Sequence, residues 1–380
     1  MSHPRSAKHQ IVRVALADRS YDVRIGSDQA EGFSDFARSA LDATWAGKPC
    51  RSALVVTDTN VEPQAEPIRA ALETIGITSE LVAIEPGEAS KSWESASQLY
   101  DRLIDRKADR HTCIVAVGGG VIGDLAGYVA ATYARGLPLL MVPTSLLAMV
   151  DSSVGGKVGI NHPRAKNIIG AFHQPAGVWI DTASLASLPP RELQCGLAEI
   201  VKYGVILDAA FFQGLEANVE RVGALDPEVI RHVVARSCEL KAEVVSQDER
   251  EETGLRAVLN FGHTIGHAIE SVAGYGGDYQ HGEAVAIGMV AECRLAEQIG
   301  WITQDVTSRL IALLRRCNLP TSAPGLSVDA LLEAMGRDKK NQSGKIRFVL
   351  PRAIGQVELT DAAGRDQVRA VLLELGKPIS

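Results

Sequence analysis

"IVAVGGGVIGDLAG", residues 114–127, decides how the rest of this chain is read. A run of β-branched and small apolar residues ends in three glycines, and helix-forming residues follow at once. Gly118, Gly120 and Gly123 satisfy the pattern G-x-G-x-x-G. Glycines at a strand-to-helix turn let backbone amides approach an anion at the helix N-terminus, the arrangement that holds a dinucleotide pyrophosphate. Alone the pattern is weak, because a plain tight turn shares it; the strand before and the helix after give it weight. An ordinary dinucleotide fold also places an acid about 20 residues on, for the ribose hydroxyls. Here that region is "LPLLMVPTS" (137–145), which contains none. The available acid is upstream, Asp58 in "VVTDTN" (55–60), with Asn60 beside it. The expectation is a variant in which ribose contact precedes the glycine loop. As turn or cap residues, Asp58 and Asn60 read equally well.

Outward from that turn, "SALVVTD" (52–58), "SELVAIE" (79–85), "LPLLMVPT" (137–144) and "GVWID" (177–181) read as strands. "WESASQLYDRLIDRKA" (93–108) and "GDLAGYVAATYARG" (123–136) read as helices between them, and "IVRVALADRSYDVRIG" (11–26) as a hairpin around Asp-Arg-Ser. Short apolar strands alternating with helices predict a mainly parallel sheet covered on both faces. After the "SLASLPP" turn (184–190) the periodicity is mostly helical, broken by "KIRFVL" and "QVELT". The expected architecture is a Rossmann-like α/β domain over 1–185, followed by a mostly α-helical domain over 186–380.

Composition narrows the function classes. The chain has 380 residues, too many for one simple core, with 46% hydrophobic and 22% charged residues, as in ordinary globular proteins. A formal charge of −7 offers no basic surface to nucleic acid or anionic membrane, so the lysines and arginines that matter act locally. The six cysteines form no CxxC pair, which suits free thiols in a reducing cytosol. No apolar run approaches the roughly 20 residues of a membrane span, and the polar N-terminus lacks a secretory core. A soluble, intracellular protein is expected.

Two further stretches carry chemistry. "VDSSVGGKVGINHPRAKNIIGAFHQP" (150–175) is polar and glycine-rich, with Asp151, Lys157, Lys166, Asn167 and His173. Glycine beside a cation lets backbone wrap a small anion, so an anionic polyol facing the cofactor is the expected ligand, against the plainer reading of a solvated hairpin. "FGHTIGHAIE" (261–270) puts His263 and His267 on one helical face, and His281 opens another helix after "GYGGDYQ". A helix over 263–273 is about 15 Å long and the loop reaches roughly 23 Å, so His281 can return to His263. Thr264 stands where a zinc protease needs glutamate, which excludes that chemistry. Glu199 in "GLAEIVKYG" (196–204), one turn from Lys202, is the carboxylate candidate, although an i,i+3 surface pair reads similarly. Two imidazoles and a carboxylate with an open position suit a catalytic zinc. Spacing leaves His267 and His281 as alternatives.

"GGGVIGDLAGYVAATYARG", "VPTSLLAMVDSSVGGKVGIN", "KNIIGAFHQP", "GLAEIVKYG", "DEREETGLR", "LNFGHTIGHAIE", "HGEAVAIGM" and "RDKKNQSGKIRFVLP" together resemble the 3-dehydroquinate synthases, in that family's order, from about residue 50 to 355. The resemblance implies an NAD-binding α/β domain and a helical metal- and substrate-binding domain with the active site in the cleft between them, in a cytoplasmic homodimer. It assigns the metal, zinc or cobalt in its place, to Glu199, His263 and His281, and makes His267 a polar active-site residue. Asp58, Asn60, Glu88, Lys91, Gly119, Gly120, Val121, Ile122, Gly123, Asp124, Thr144 and Ser145 would line NAD+, with Lys157 and Lys166 near both cofactor and substrate. Asp151, Asn167, Lys202, Lys241, Arg256 and Asn260 would contact substrate, and Arg135 and Lys340 its phosphate, Lys339 standing beside Lys340. Lys157, His267, Asn260 and Lys202 would be catalytic.

The implied reaction converts 3-deoxy-D-arabino-heptulosonate 7-phosphate into 3-dehydroquinate and phosphate, a step of the shikimate route to aromatic amino acids. It runs through transient oxidation by NAD+, phosphate elimination, re-reduction and intramolecular aldol closure. Competing expectations are a 2-deoxy-scyllo-inosose or 2-epi-5-epi-valiolone synthase, a metal-dependent dehydrogenase of the glycerol dehydrogenase kind, and a binding module without catalysis.

Overall fold

The computed structural model describes residues 9–27, 30–44, 49–274, 277–336 and 346–377. The chain divides into two compact units, Met1–Leu188 with Ile230–Arg250, and Pro189–Val229 with Glu251–Ser380. This differs from a single cut at 185: the first unit runs to Leu188, and residues 230–250 lie with it.

The first unit is built on a seven-stranded sheet. Its strands are β1 (Gln10–Val14), β2 (Tyr21–Gly26), β3 (Ser52–Asp58), β4 (Thr78–Ile84), β5 (Thr112–Gly118), β6 (Leu139–Pro143) and β9 (Gly177–Asp181), with β7 (Lys157–His162) and β8 (Ala165–Phe172) forming a separate hairpin. The spatial order is β1-β2-β9-β6-β5-β3-β4; only β1 is antiparallel to its neighbour. Central β5, "TCIVAVG", is buried along its whole length, as expected of a strand covered on both faces. Helices α1 (Phe33–Thr44), α2 (Glu62–Thr74), α3 (Trp93–Asp105) and α4 (Gly120–Thr132) connect the strands. Val55, Val115, Leu140 and Trp179 of the sheet pack with Phe33, Phe36, Ile68 and Leu72 of α1 and α2.

That strand order decides where a ligand can bind. The chain leaves β3 toward β4 on one side and leaves β5 toward β6 on the other, so the β3–β5 seam is the topological switch point. Val56 pairs with Ala116 in this seam, which puts Asp58 and Gly118 side by side at the carboxyl ends of the strands. The upstream acid and the glycine loop, 60 positions apart in sequence, are neighbours for this reason.

Three local features depart from the sequence reading. Helix α4 starts at Gly120, inside the glycine motif, so Val121–Asp124 form its first turn. It stops at Thr132 rather than running to Gly136, because Ala134, Arg135 and Gly136 adopt φ of 48°, 68° and 123°, which no right-handed helix allows. Residues 150–175 are largely the β7–β8 hairpin, preceded by a π-helical turn at Ala148–Ser152. Gly127 lets α4 lie on that hairpin: a Cβ there would come 2.3 Å from Val158 Cγ1.

The second unit contains α5 (Pro190–Leu207), α6 (Ala209–Gly223), the start of α7 (Pro227–Gln247), α8 (His263–Ala273), α9 (His281–Gln298), α10 (Gln304–Arg316), α11 (Val328–Gly336), the hairpin β10 (Phe348–Ala353) with β11 (Gln356–Thr360), and α12 (Arg365–Leu375). Apolar on nearly every side, α9 is buried from Ala284 through Cys293 and forms the core about which the others pack. Two glycines set how closely they pack. A Cβ on Gly282 would lie 2.3 Å from Cys195 Cα of α5, and one on Gly288 would lie 1.9 Å from the carbonyl oxygen of Gly262, at the start of α8. Among the described residues no helix is long and apolar enough to cross a membrane.

Gly288→Ala should therefore force α8 from α9 and cost about 1–3 kcal/mol by overpacking. Gly214→Ala in α6, where a Cβ meets nothing within 4 Å, should be neutral or stabilising. Denaturant unfolding of the two variants checks the contrast, and equal stability would refute the close-packing explanation.

Candidate active site

The second unit gathers the metal-ligating residue types. Glu199 points from the middle of α5 and is completely buried, and Lys202, one turn on, is buried with it in ion-pair contact with Oε2. Neither carboxylate oxygen has a hydrogen-bond donor aligned on it. Facing Oε1 are two imidazole nitrogens, His263 Nε2 at 3.6 Å and His281 Nε2 at 3.7 Å. Both rings present Nε2 because the other nitrogen is engaged: His263 Nδ1 lies 3.0 Å from the Phe261 carbonyl and His281 Nδ1 lies 3.2 Å from Glu270 Oε2. With Nδ1 carrying the proton, each Nε2 keeps a lone pair directed at Glu199.

The local sequence explains the convergence. His263 is the first residue of α8, after Gly262 in the left-handed conformation, whose amide donates to buried Glu292 at 2.7 Å. His281 is the first residue of α9, where Gln280 and Glu283 form a capping box. Arg191 of α5 holds Glu283 through two 2.7 Å bonds. The helix starts are thus pinned to α5 and α9, and the close approaches at Gly282 and Gly288 bring the side chains together.

Electrostatics suits a cation. Burial is the largest influence on His263 and holds it well below the usual imidazole range; the positive charge of Lys202 adds to this, as do the neighbouring imidazoles. A neutral imidazole is the form that ligates a metal. Around a tetrahedral ion with bonds near 2.0–2.1 Å, ligand atoms stand about 3.3 Å apart, so the 3.6 and 3.7 Å separations need little contraction. Glu199, His263 and His281 fit a divalent ion by donor type, spacing and burial. His267, the spacing alternative, is exposed on α8, its ring 5.3 Å from that of His263, and belongs to a second cluster with Glu270 and His281. Asn260 and Arg256 precede α8 in the short helical turn Leu255–Asn260; Arg256 is buried, 3.8 Å from Glu251.

The first unit gathers the glycine loop and the lysines. Gly119 caps α4, Gly123 N–H donates to its carbonyl, and Thr144 N–H donates to Gly118 at the next strand end. Side chains at Gly119 and Gly120 would fill space that ends at Ser145 Oγ and Ser152 Oγ, 3.5 and 3.3 Å from the added Cβ atoms. Asp58 Oδ1 accepts the Asn60 amide at 2.9 Å, so its turn role is real. Buried Lys91 bonds both Asp124 and Asn167, while Lys166 lies 3.9 Å from Glu88. Burial raises the Asp124 carboxyl above its usual range and Lys91 opposes the rise. Lys241 of α7 reaches the Asp151 carboxylate at 2.7 Å and its carbonyl at 2.5 Å, one reason residues 230–250 lie with this unit. Lys157 is exposed at the start of β7.

Arg135 is not among these groups. It sits beyond the far end of α4, about 20 Å of helix from Gly120. Lys339 and Lys340 lie outside the described residues. Two residues that the sequence reading missed are structurally central. Glu270 is one; its only sequence signal is its position three after His267 on the histidine face. The other is Asn161, which donates to Glu88 at 2.7 Å and accepts the amide of Asn167 at 2.8 Å, holding Asn167 at φ 54°.

Asn161→Asp should lose the donor and set a carboxylate against Glu88, lowering unfolding stability by about 1–3 kcal/mol. The deficit should shrink below about pH 4 as carboxyls protonate. Denaturation curves at neutral and acid pH check this, and a deficit that is the same at both would contradict it.

Comparison with known proteins matches both halves of the chain, with a boundary near residue 195. The family model described as 3-dehydroquinate synthase N-terminal matches residues 81–195, and the one described as 3-dehydroquinate synthase C-terminal matches 196–341. A 3-dehydroquinate synthase of Desulforamulus reducens is 47% identical over 95% of this chain and 99% of its own. Among solved structures, the 2-epi-5-epi-valiolone synthase of Streptomyces hygroscopicus subsp. jinggangensis 5008, with NAD+ and Zn2+ bound, is 29% identical with a TM-score of 0.82, covering 95% of this chain and 98% of that one. A 2-deoxy-scyllo-inosose synthase complexed with carbaglucose-6-phosphate, NAD+ and Co2+ is 25% identical with a TM-score of 0.83, covering 96% and 99%.

Proposed function

The chain belongs to the 3-dehydroquinate synthase family, and on that premise we propose that it converts 3-deoxy-D-arabino-heptulosonate 7-phosphate into 3-dehydroquinate and phosphate. The observation that carries the reading is the buried Glu199 carboxylate faced by two imidazole Nε2 atoms at 3.6 and 3.7 Å. NAD+ supplies a hydride acceptor and donor, and a divalent ion, zinc or cobalt, supplies a Lewis acid. Glu199, His263 and His281 hold the ion. Gly119–Asp124, Asp58, Asn60, Glu88, Lys91, Thr144, Ser145, Lys157 and Lys166 would hold the dinucleotide, the N-terminus of α4 suiting its pyrophosphate.

The remaining polar groups take the substrate. Arg256, Lys241 and Lys157 give the cations that a carboxylated ligand needs, and Asp151, Asn167 and Asn260 give its hydroxyls acceptors and donors. The family resemblance alone assigns the phosphate to Arg135, which lies beyond the far end of α4, and to Lys340, outside the described residues. His267, beside His263 and exposed, holds or releases a proton at a substrate oxygen. Lys202, in contact with Glu199, would stabilise a substrate oxygen while it carries negative charge, before hydride leaves and again when the C–H beside the ketone loses its proton, an effect worth several kcal/mol where water is excluded. The C–H beside the ketone would pass its proton to the substrate's own phosphate, which would then leave, the hydride would come back from the reduced cofactor, and the opened ring would close by aldol addition. The same reading takes the enzyme as a cytoplasmic homodimer.

Identity of 47% to a 3-dehydroquinate synthase, against 29% and 25% to the cyclases that form valiolone and inosose products, favours this substrate within the family. Incubation with the heptulosonate phosphate, NAD+ and Zn2+ should release phosphate stoichiometrically with product and leave no net NADH. Steady NADH from a simple polyol would instead mark a dehydrogenase. Turnover of a hexose or heptose phosphate lacking the carboxylate, with none of the heptulosonate, would mark one of the other cyclases.

A further inference from the structure

Glu270 is a buried carboxylate, its side chain 6% exposed, on the same face of α8 as His263 and His267. It lies seven residues after His263 and three after His267, two turns and one turn along the helix. Nothing in the proposed reaction requires it, yet its Oε2 lies 3.2 Å from His281 Nδ1. His281 is the most exposed member of the Glu199–His263–His281 set, its side chain 30% exposed against 13% and 1% for the other two. A ring at the first position of a helix, partly open to solvent, needs a hydrogen bond to decide which nitrogen faces Glu199. His263 has such a bond from its own segment, because the Phe261 carbonyl lies 3.0 Å from its Nδ1.

We propose that Glu270 is the positioning residue of His281: its carboxylate accepts the Nδ1–H, fixes the tautomer that leaves a lone pair on Nε2, and holds that nitrogen 3.7 Å from Glu199 ready to bind a divalent ion. An anionic acceptor also polarises the imidazole and makes Nε2 a stronger donor than a backbone carbonyl would. The bound state then sets two buried carboxylates, Glu199 and Glu270, against the ion and Lys202. The competing arrangement makes Glu270 a ligand itself, in the His267–Glu270–His281 cluster. It would take His281 through Nδ1 and would leave Glu199 and its lone-pair partners unused.

The inference rests on the divalent-ion reading of the site, and one set of titrations separates the two. Zinc affinity is measured on the full chain by competition with a chromophoric chelator, for the natural protein, Glu270→Gln, Glu270→Leu and Glu199→Gln. Glu270→Leu should bind zinc about 10- to 100-fold more weakly, the range typical of lost outer partners. Glu270→Gln, which keeps an acceptor oxygen, should recover most of that loss, and its cobalt-loaded form should show the visible spectrum of the natural protein, since the ligand set is unchanged. Should Glu270→Leu not fold, Glu270→Asp withdraws the acceptor by one methylene and is expected to weaken zinc in the same direction. Wild-type affinity in Glu270→Leu or Glu270→Asp, with affinity lost in Glu199→Gln, overturns the role of Glu270 and leaves the ion site standing. An altered cobalt spectrum in Glu270→Gln overturns it in favour of direct ligation. Unchanged affinity in Glu199→Gln overturns both.

Discussion

A carboxylate taken out of water must be matched by positive charge or by hydrogen bonds, and Glu199 is matched only in part. Removing such a group from water costs several kcal/mol even after the protein relaxes. Lys202 lies against one oxygen, and neither oxygen has an aligned donor. Two imidazole nitrogens face the other oxygen at 3.6 and 3.7 Å, beyond ordinary hydrogen-bond distance, so they do little for the anion. The arrangement is unfavourable as a purely structural cluster and favourable once a cation sits among the three ligand atoms. The interior of the second unit, with its glycine contacts, its pinned helix starts and its oriented histidines, is intelligible as the means of holding that carboxylate where a cation is needed.

The glycines show how packing becomes chemistry. Gly282 follows His281 directly, and Gly288 lies two turns further along α9. At each, a single methyl group would push away the neighbouring element, α5 in one case and the start of α8 in the other. Since α5 carries Glu199 and α8 carries His263, the ligand spacing depends on residues with no functional group. In the first unit, Gly119 and Gly120 at the start of α4 serve differently: an added Cβ would stand 3.5 and 3.3 Å from Ser145 and Ser152 Oγ, in space that the missing side chains leave unfilled.

Legibility from sequence followed the range over which each signal acts. Buried strands such as "SALVVTD" and "GVWID" were readable to the residue, because continuous β-branched runs bounded by turns have few other uses. The pairing of Asp58 with the glycine loop was legible only as a suspicion; strand order creates it, and strand order is not a local property. Periodicity put His263 and His267 on one face but could not choose between His267 and His281, since the choice depends on how the Gln280–Glu283 cap turns α9. Glu270 and Asn161 were missed because each acts through a partner distant in sequence. The turn at Ala134–Gly136 was hidden by alanines that would equally have continued a helix, and residues 230–250 by their place within one unbroken α7. Motif resemblance, which carries information gathered from many sequences, supplied the assignments that periodicity left open.

The most direct measurement is anomalous diffraction at the zinc edge from crystals of the full chain grown with Zn2+ and NAD+. One dominant peak is expected within bonding distance of a Glu199 carboxylate oxygen and of Nε2 of both His263 and His281. A peak centred instead on His267, Glu270 and Nδ1 of His281, or a Glu199 carboxylate left without a metal bond beside an occupied site elsewhere, would contradict it.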